Sequence, residues 1–385
     1  MKITMLVAVM LFSMTFQYKI LSVFTIMRHG ARAPNGQVIR EYEEIGISYG
    51  GQLSHVGRGQ LEEVGSKMSE RYLHLSSQDI KFFSSPSKRC VESMEHFKKG
   101  FGISKETHVV PKKFVNFNSL MKITPDQSEY IKSAFTPKIE EMYQKASPLN
   151  YHDVLGHYCT RCQAAEDPVA ILRDMKKLAT IQYCNSAHGI ETKKFDPELV
   201  PILKDAFRMV YYGVAFKTKR EAKQYSTDTF KLLGKTFLHQ IRNIPGYEFL
   251  IGEYHDLFDS DKEPATSVFF LAHDGNLTGL LRLMVAQNEL LENEFFMPKF
   301  ASHISFELLE EFESLEDAQS HFIEIFTRKC SATRKIQPAL YVRILYEGHE
   351  LTLKDCDHNL CPVDKFFRYL EKNIVSENKG NKLKH

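Results

Sequence analysis

Three short apolar runs, each cut off by a turn carrying histidine or arginine, constrain this chain more than any other feature. Tyr18 to Met27 (YKILSVFTIM) is apolar and β-branched and gives way to Arg28-His29-Gly30-Ala31-Arg32-Ala33-Pro34. Asp79 to Ser84 (DIKFFS) gives way to Ser85-Pro86-Ser87-Lys88-Arg89. Ser267 to Ala272 (SVFFLA) gives way to His273-Asp274-Gly275-Asn276. Runs of this length and composition read as buried strands. Helical patterns lie between them. Ser54 is a fitting N-cap for a helix from about His55 to Tyr72, with Val56, Leu61, Val64, Met68 and Tyr72 at helical spacing. A second helix should run from about Lys88 to Lys98. Strand character returns at His303 to Leu308, His321 to Thr327 and Ala339 to Tyr346. The alternation predicts an α/β fold: a mixed, mainly parallel sheet with flanking helices. Ligands of open α/β sheets bind outside the carboxyl ends of the strands, so the charged turns are expected at one sheet edge.

Between about Thr124 and Lys262 strand-like runs are scarce, and helical ones such as Pro168 to Ile181 and Glu221 to Asn243 dominate. We read residues 124–264 as an inserted, mostly helical cap domain. Residues 18–123 and 265–361 form a discontinuous α/β catalytic domain, and 362–385 a C-terminal helix and polar tail. Residues 1–17 (one lysine, then an apolar run from Ile3 to about Phe16) have the shape of a secretory signal peptide. No other stretch reaches 18 apolar residues and the tail from Ser376 is lysine-rich, so no membrane anchor is expected. A net charge of +2, with acidic and basic residues interleaved, gives no reason to expect nucleic acid as a partner.

The three turns differ in what they offer. Arg28 and Arg32 flank His29, and a planar guanidinium suits phosphate oxygens in a bidentate way. A histidine among fixed positive charges keeps its neutral, nucleophilic form. Arg89 can reach the same edge from the second turn. In the third, His273 adds a ligand and Asp274 a carboxyl group able to protonate a leaving oxygen. Taken singly, each turn is equally well read as basic surface or an Asx turn; the combination of the three is far more specific.

In that combination the chain resembles the histidine acid phosphatases, the larger branch of the histidine phosphatase superfamily. Their RHGxRxP signature is matched by Arg28 to Pro34, their distal HD pair by His273-Asp274, and their intermediate arginine by Arg89. Gly51 to Gly65 also looks like their helix start. The resemblance runs from about Tyr18 to Tyr369 and is weakest in the helical insertion. It implies hydrolysis of phosphate monoesters at acid pH through a phosphohistidine on His29. Arg28, Arg32, Arg89 and His273 would hold the phosphate, and Asp274 would act as general acid. It implies no metal and no cofactor, since arginines supply the positive charge. The family often has Thr after the HD pair; Gly275-Asn276 here puts substrate preference in doubt. Asn276-Leu277-Thr278 is also the one Asn-x-Ser/Thr sequon, placed where burial should prevent glycosylation.

There are seven cysteines. Cys356 and Cys361, resembling a short Cys-to-Cys loop of the family, are the expected disulfide. Cys90 is expected as a buried free thiol. Cys159 and Cys162 leave several readings open: pairing with Cys184 or Cys330, or a zinc site with Cys184 and His188, which export disfavours. Lys217, Lys219, Arg220 and Lys223 offer either a polyphosphate contact or a solvated helix face. The expected location is secreted or lysosomal. The alternatives to an acid phosphatase are a phytase-like or inositol-phosphate phosphatase and a secreted binding protein without catalysis. A homodimer stays open.

Overall fold

Strand β1 (Tyr18–Arg28) is buried on both faces from Ser22 onward, which is why its sequence reads as an unbroken apolar run rather than an alternating one. The computed structural model describes residues 18–35, 40–72, 74–75, 79–112, 125–158, 167–190, 195–216, 218–242, 244–258, 266–285, 298–311 and 338–375. The signal segment 1–17, the strand expected at 321–327, Cys159, Cys162, Cys330, Lys217 and the tail from Ser376 lie outside those residues.

After β1 come α1 (Arg40–Glu43), α2 (His55–Arg71), β2 (Ile80–Ser84), α3 (Lys88–Phe101) and β3 (Thr107–Val109). A helical stretch follows: α4 (Pro125–Ala146), α5 (Tyr151–Tyr158), α6 (Pro168–Ala187), α7 (Leu199–Arg208), a π-helical turn (Met209–Ala215), α8 (Lys219–Ile241) and α9 (Glu248–Phe258). The chain then returns to β4 (Ser267–Ala272), α10 (Asp274–Met284), β5 (His303–Glu311), β6 (Leu340–Tyr346), β7 (His349–Leu351), β8 (Leu360–Pro362) and α11 (Val363–Asn373). Helix α3 runs one turn beyond its expected end at Lys98, to a left-handed Gly102 that stops it.

The sheet order is β3-β2-β4-β1-β5-β6-β7, with β8 also on β6. Strands β3, β2, β4 and β1 run parallel. From β1 outward through β5, β6, β7 and β8 the pairings are antiparallel. Helices cover both faces, and the strands sort their side chains with the period of two that a pleat imposes. Val23, Met27, Phe269 and Leu271 face α2 and α3, packing with Leu61, Phe97 and Phe101. Phe24, Ile26, Val268 and Phe270 face the other way, into a core shared with α8, α10 and α11. The core of the helical stretch, including Leu172, Met175 and Leu203, is continuous with that second face. Cys356 and Cys361 are bonded, as expected, and close the loop before β8.

One buried charge ties α2 to the sheet. Glu307, in the middle of β5, has a fully buried side chain. It accepts hydrogen bonds from Arg71 at the end of α2, from Tyr72 and from Arg343, its neighbour across the β5–β6 pairing. Burial pushes its pKa up, but the two guanidiniums outweigh that and hold it below the ordinary glutamate value. A group held below its unfolded pKa contributes its full stability above that unfolded value. The contribution is lost as pH falls through the folded pKa. Glu307→Gln should therefore cost about 2–3 kcal/mol near neutral pH, below the usual cost of breaking a buried pair because both arginines also reach solvent. Urea unfolding checks this: the gap to wild type should shrink as pH falls below the glutamate range. A gap that widens there would show that the pair is not what holds this end of α2.

Candidate active site

Parallel pairing of β1 with β4 puts Arg28 directly opposite Ala272, so the two strands end at the same level. His29 and His273 therefore leave the sheet side by side. The His29 amide donates to the Ala272 carbonyl at 3.3 Å, and the two imidazole centroids are 5.6 Å apart. On the other side of β4, Ser84 of β2 pairs with Leu271, which delivers Ser85 and then α3 to the same edge. Ser85 Oγ lies 2.8 Å from His273 Nε2, and Arg89 Nη2 lies 3.4 Å from His273 Nδ1. A guanidinium can only donate, so Nδ1 of His273 accepts and Nε2 carries the proton that Ser85 receives. The structure thus brings together all the predicted phosphate-site residues: Arg28, His29, Arg32, Arg89, His273 and Asp274.

The loop carrying His29 is held by close backbone packing. A Cβ on Gly30 would fall 2.2 Å from the Gly57 carbonyl oxygen, and one on Gly57 would fall 2.1 Å from that of Ala31. Two glycines are required where loop and helix α2 touch. Ser54 caps α2 by accepting from Gly57 N and also donates to Ala31 O. Gly30 N donates to Ser93 and Ala31 N to Gln60.

His29 is almost fully buried, and its Nδ1 lies 2.9 Å from the carbonyl oxygen of Gly30. A carbonyl can only accept, so Nδ1 carries the proton and Nε2 keeps its lone pair. Burial, then the charges of Arg89, Arg28 and Arg32, press its pKa well below the ordinary histidine value. His273 is lowered in the same direction, first by burial and then by Arg89. Arg89 itself, buried and beside Arg32, is brought down to about 10 and stays a cation in neutral and acid solution.

Arg28 is 1% exposed and fixed on every side. One guanidinium nitrogen donates to the Pro298 carbonyl and to Tyr183, and the other pairs with Asp274 at 3.1 Å. Its plane lies 4.2 Å over the Phe300 ring. Arg32 donates to the Ala33 carbonyl at 2.7 Å. The Nε atoms of Arg28 and Arg32 are buried and have no hydrogen-bond partner among the described residues, as suits guanidiniums arranged for an anion. Asp274 begins α10, so the positive end of an 11-residue helix faces the same point. Burial raises the Asp274 pKa, but Arg28 and then His273 outweigh it and hold the carboxyl below its ordinary value. Tyr211 of the π-helical turn lies near the same carboxylate, and burial first and then that charge push its phenol pKa well up.

Other placements differ from the simplest expectation. Asn276 accepts from the His273 amide at 3.3 Å, so it caps α10, and its 4% exposure puts the sequon inside the protein. Cys90 is a buried free thiol, as expected, 3.8 Å from His273. Cys184 is also a free buried thiol, so it forms no disulfide, and His188 Nδ1 lies 2.6 Å from its carbonyl oxygen; the zinc reading needs Cys159 and Cys162, which lie outside the described residues. Lys223 donates to the Lys372 carbonyl, and Lys219 faces Lys354. Lys354 N in turn bonds Met284 O at the last residue of α10. Ten residues of helix, about 15 Å, separate that point from Asp274, so these lysines do not reach the site.

The wall opposite the arginines comes from residues the sequence reading missed. Lys176, Thr180, Tyr183 and Cys184 of α6, with Phe207 and Tyr211, line a narrow pocket ending at His29, Arg28, Arg32 and Asp274. The α6 residues recur at i, i+4, i+7 and i+8, a legible helical face. It is a mixture of cation, hydroxyl, ring and thiol, with nothing to mark it as a pocket wall rather than surface. A wider groove between α2 and β5, lined by Lys67, Arg71, His303 and Glu347, holds none of the predicted site residues.

Known proteins resemble the chain in part of its sequence and in its fold. Residues 43–128 match the family model of the histidine phosphatase superfamily (branch 2). No curated protein sequence matches the chain. Among solved structures, a phytase from Citrobacter braakii superposes with a TM-score of 0.58 at 13% identity, covering 93% of this chain and 98% of that one. A Hafnia alvei phytase in complex with tartrate gives 0.57 at 14% identity, covering 93% and 98%. A Bifidobacterium longum multiple inositol polyphosphate phosphatase in complex with inositol hexasulfate gives 0.52 at 13%, covering 95% of each chain. At these identities the likeness is one of fold.

The site geometry makes a spectroscopic prediction. In the ligand-free protein the His29 ring should stay neutral, protonated on Nδ1, through the range around pH 6.5 where an ordinary histidine titrates. Ring ¹⁵N shifts read both the tautomer and the charge. A His29 that titrates at the ordinary value would contradict the buried, cation-flanked setting.

Proposed function

We propose that this chain, a member of the histidine phosphatase superfamily (branch 2), hydrolyses phosphate monoesters at acid pH by way of a phosphohistidine on His29. The observation that carries the reading is the pairing of Arg28 with Ala272, which sets a neutral nucleophilic imidazole beside arginines and a carboxyl group. The phosphate would sit against Arg28, Arg32, Arg89 and His273, which stabilise charge on the equatorial oxygens as the transition state forms. His29 Nε2 attacks phosphorus, the bond to the ester oxygen breaks, and Asp274 gives that oxygen its proton. In the second step the Asp274 carboxylate takes a proton from water. The water oxygen attacks phosphorus, the phosphorus–nitrogen bond breaks, and inorganic phosphate leaves with His29 restored.

Asp274 must be protonated for the first step, yet without substrate it is ion-paired to Arg28 and held low. A bound phosphate brings negative charge beside the carboxyl and competes for Arg28. Both effects raise the carboxyl pKa, and low bulk pH helps further. His29, by contrast, is held well below the ordinary histidine value by burial and by Arg89, Arg28 and Arg32, which favours the neutral form that attack requires.

An inositol polyphosphate is the second reading, favoured by the fold relatives whose names include phytase and inositol polyphosphate phosphatase. A hexakisphosphate calls for a broad cationic surface. Among the described residues lining the pocket, Lys176 is the one cation besides Arg28 and Arg32, which favours smaller esters. Both histidines and Asp274 are in place, which speaks against a binding protein without catalysis. Export, to a secreted or lysosomal destination, remains part of the proposal. The Cys356–Cys361 bond suits an oxidising compartment, and no helix among the described residues is long and apolar enough to cross a membrane.

Hydrolysis of p-nitrophenyl phosphate from pH 3 to 8 tests the reading. Wild type should peak in acid, and His29→Ala should lose at least about a thousandfold in kcat. In kcat/KM, which reports the phosphorylating step alone, Asp274→Asn should lose about a hundredfold or more on an alkyl phosphate and much less on the nitrophenyl ester, whose leaving group needs no proton. Equal losses on both esters would remove Asp274 from the role of general acid. A folded but inactive wild type would remove the hydrolase reading.

A further inference from the structure

Tyr183 of α6 presents a hydrogen-bond donor that the hydrolytic steps leave unused. Its phenol oxygen accepts from a guanidinium nitrogen of Arg28 at 3.3 Å and from the Phe300 amide at 3.0 Å. A phenol also carries one proton of its own. With two donors already approaching the oxygen, that proton has to point in a third direction. It makes no hydrogen bond to any described residue, and Tyr183 lines the pocket beside Arg28, His29, Arg32 and Asp274. Asp274 acts on the phenol through space, but its carboxylate is paired with Arg28.

The phenol is also fixed in place. The Tyr183 and Phe300 ring centroids are 4.9 Å apart, and the Arg28 guanidinium lies 5.2 Å over the Tyr183 ring. Burial raises the phenol pKa, so the O–H keeps its proton in acid and neutral solution. A donor already in place costs no reorganisation when charge develops on phosphoryl oxygens. Its position along Arg28 indicates which oxygen it meets. One terminal nitrogen of the guanidinium binds the phenol, and the other binds the Asp274 carboxyl, whose proposed task is to protonate the leaving oxygen. Phenol and acid thus stand at opposite ends of one guanidinium, which leaves the phenol proton to a non-bridging oxygen.

We infer that Tyr183 is a further catalytic residue, whose O–H donates to a non-bridging oxygen of the phosphate being transferred. This rests on the hydrolase reading and deepens it.

The test measures kcat/KM at pH 5.5 on p-nitrophenyl phosphate and on an alkyl phosphate, in wild type, in Tyr183→Phe and in protein carrying 3-fluorotyrosine in place of Tyr183. Removing the hydroxyl should cost about 10- to 100-fold, the scale of one hydrogen bond to a charged group. The loss should be equal on the two esters, because their non-bridging oxygens are the same. Fluorination makes the O–H a stronger donor and a weaker acceptor. The fluorinated enzyme should therefore match or exceed wild type, whereas a tyrosine that only holds Arg28 and the Phe300 amide would lose activity. The fluorinated ring is nearly isosteric, so that arm decides alone if Tyr183→Phe does not fold. A loss below about twofold in folded Tyr183→Phe, far under one such hydrogen bond, would overturn the inference. So would a loss concentrated on the alkyl ester, or a fluorinated enzyme slower than wild type on both esters. In each of those cases the hydrolase reading stands. If folded wild type hydrolyses neither ester, the hydrolase reading fails and takes the inference with it.

Discussion

The pairing of β1 with β4 is what the rest of the site depends on. Because the strands are parallel and Arg28 lies opposite Ala272, two turns far apart in sequence begin at one height and one edge. A shift of one residue would turn every side chain of β1 to the opposite face, exchanging Val23 and Met27, which meet α2 and α3, with Phe24 and Ile26, which meet the other core. Packing on both faces thus specifies the register, and the register sets His29 beside His273. Ser85 and Arg89 arrive at the same edge because β2 pairs with the other side of β4.

Upon that frame the site concentrates positive charge where water is scarce. Burial and neighbouring arginines keep His29 neutral, while the bond from Nδ1 to the Gly30 carbonyl selects the tautomer with a free Nε2. Arg28 would be costly to bury alone. It is accommodated by Asp274, by the Pro298 carbonyl, by Tyr183 and by the face of Phe300. The same contacts leave its Nε without a partner among the described residues. The Gly30–Gly57 contact lets the loop lie against α2 with no side chain between them, which limits how far His29 can move.

How much of this could be read beforehand follows from where each residue lies. The strands announced themselves because strands buried on both faces are apolar throughout, and each ended in residues of obvious chemistry. The helix after Ser54 was legible from its cap and spacing. Lys176, Tyr183 and Tyr211 were not, because their part in the site comes from tertiary packing of the helical stretch over the sheet edge. Their own spacing is that of any partly polar helix. The basic residues near 220 left two readings open for a related reason: local charge density says nothing about which end of a helix faces the site. Lys219 and Lys223 sit at the far end of α10 from Asp274, against Lys354 and α11. Asn276 stood out in the sequence as part of a departure from the family after Asp274, and it is taken up in capping α10. The salt bridges of Glu307 were hidden because Arg71 and Arg343 lie far from it in sequence and meet it only through the sheet.

The central claim is that His29 Nε2 becomes covalently bonded to phosphorus. It is tested most directly by mixing enzyme with ³²P-labelled p-nitrophenyl phosphate, quenching in base within milliseconds, and mapping the label by peptide mass spectrometry under alkaline conditions that preserve phosphohistidine. The account predicts label on His29, formed and lost at rates consistent with turnover. Full turnover with no labelled protein, or with the label on any other residue, would contradict it.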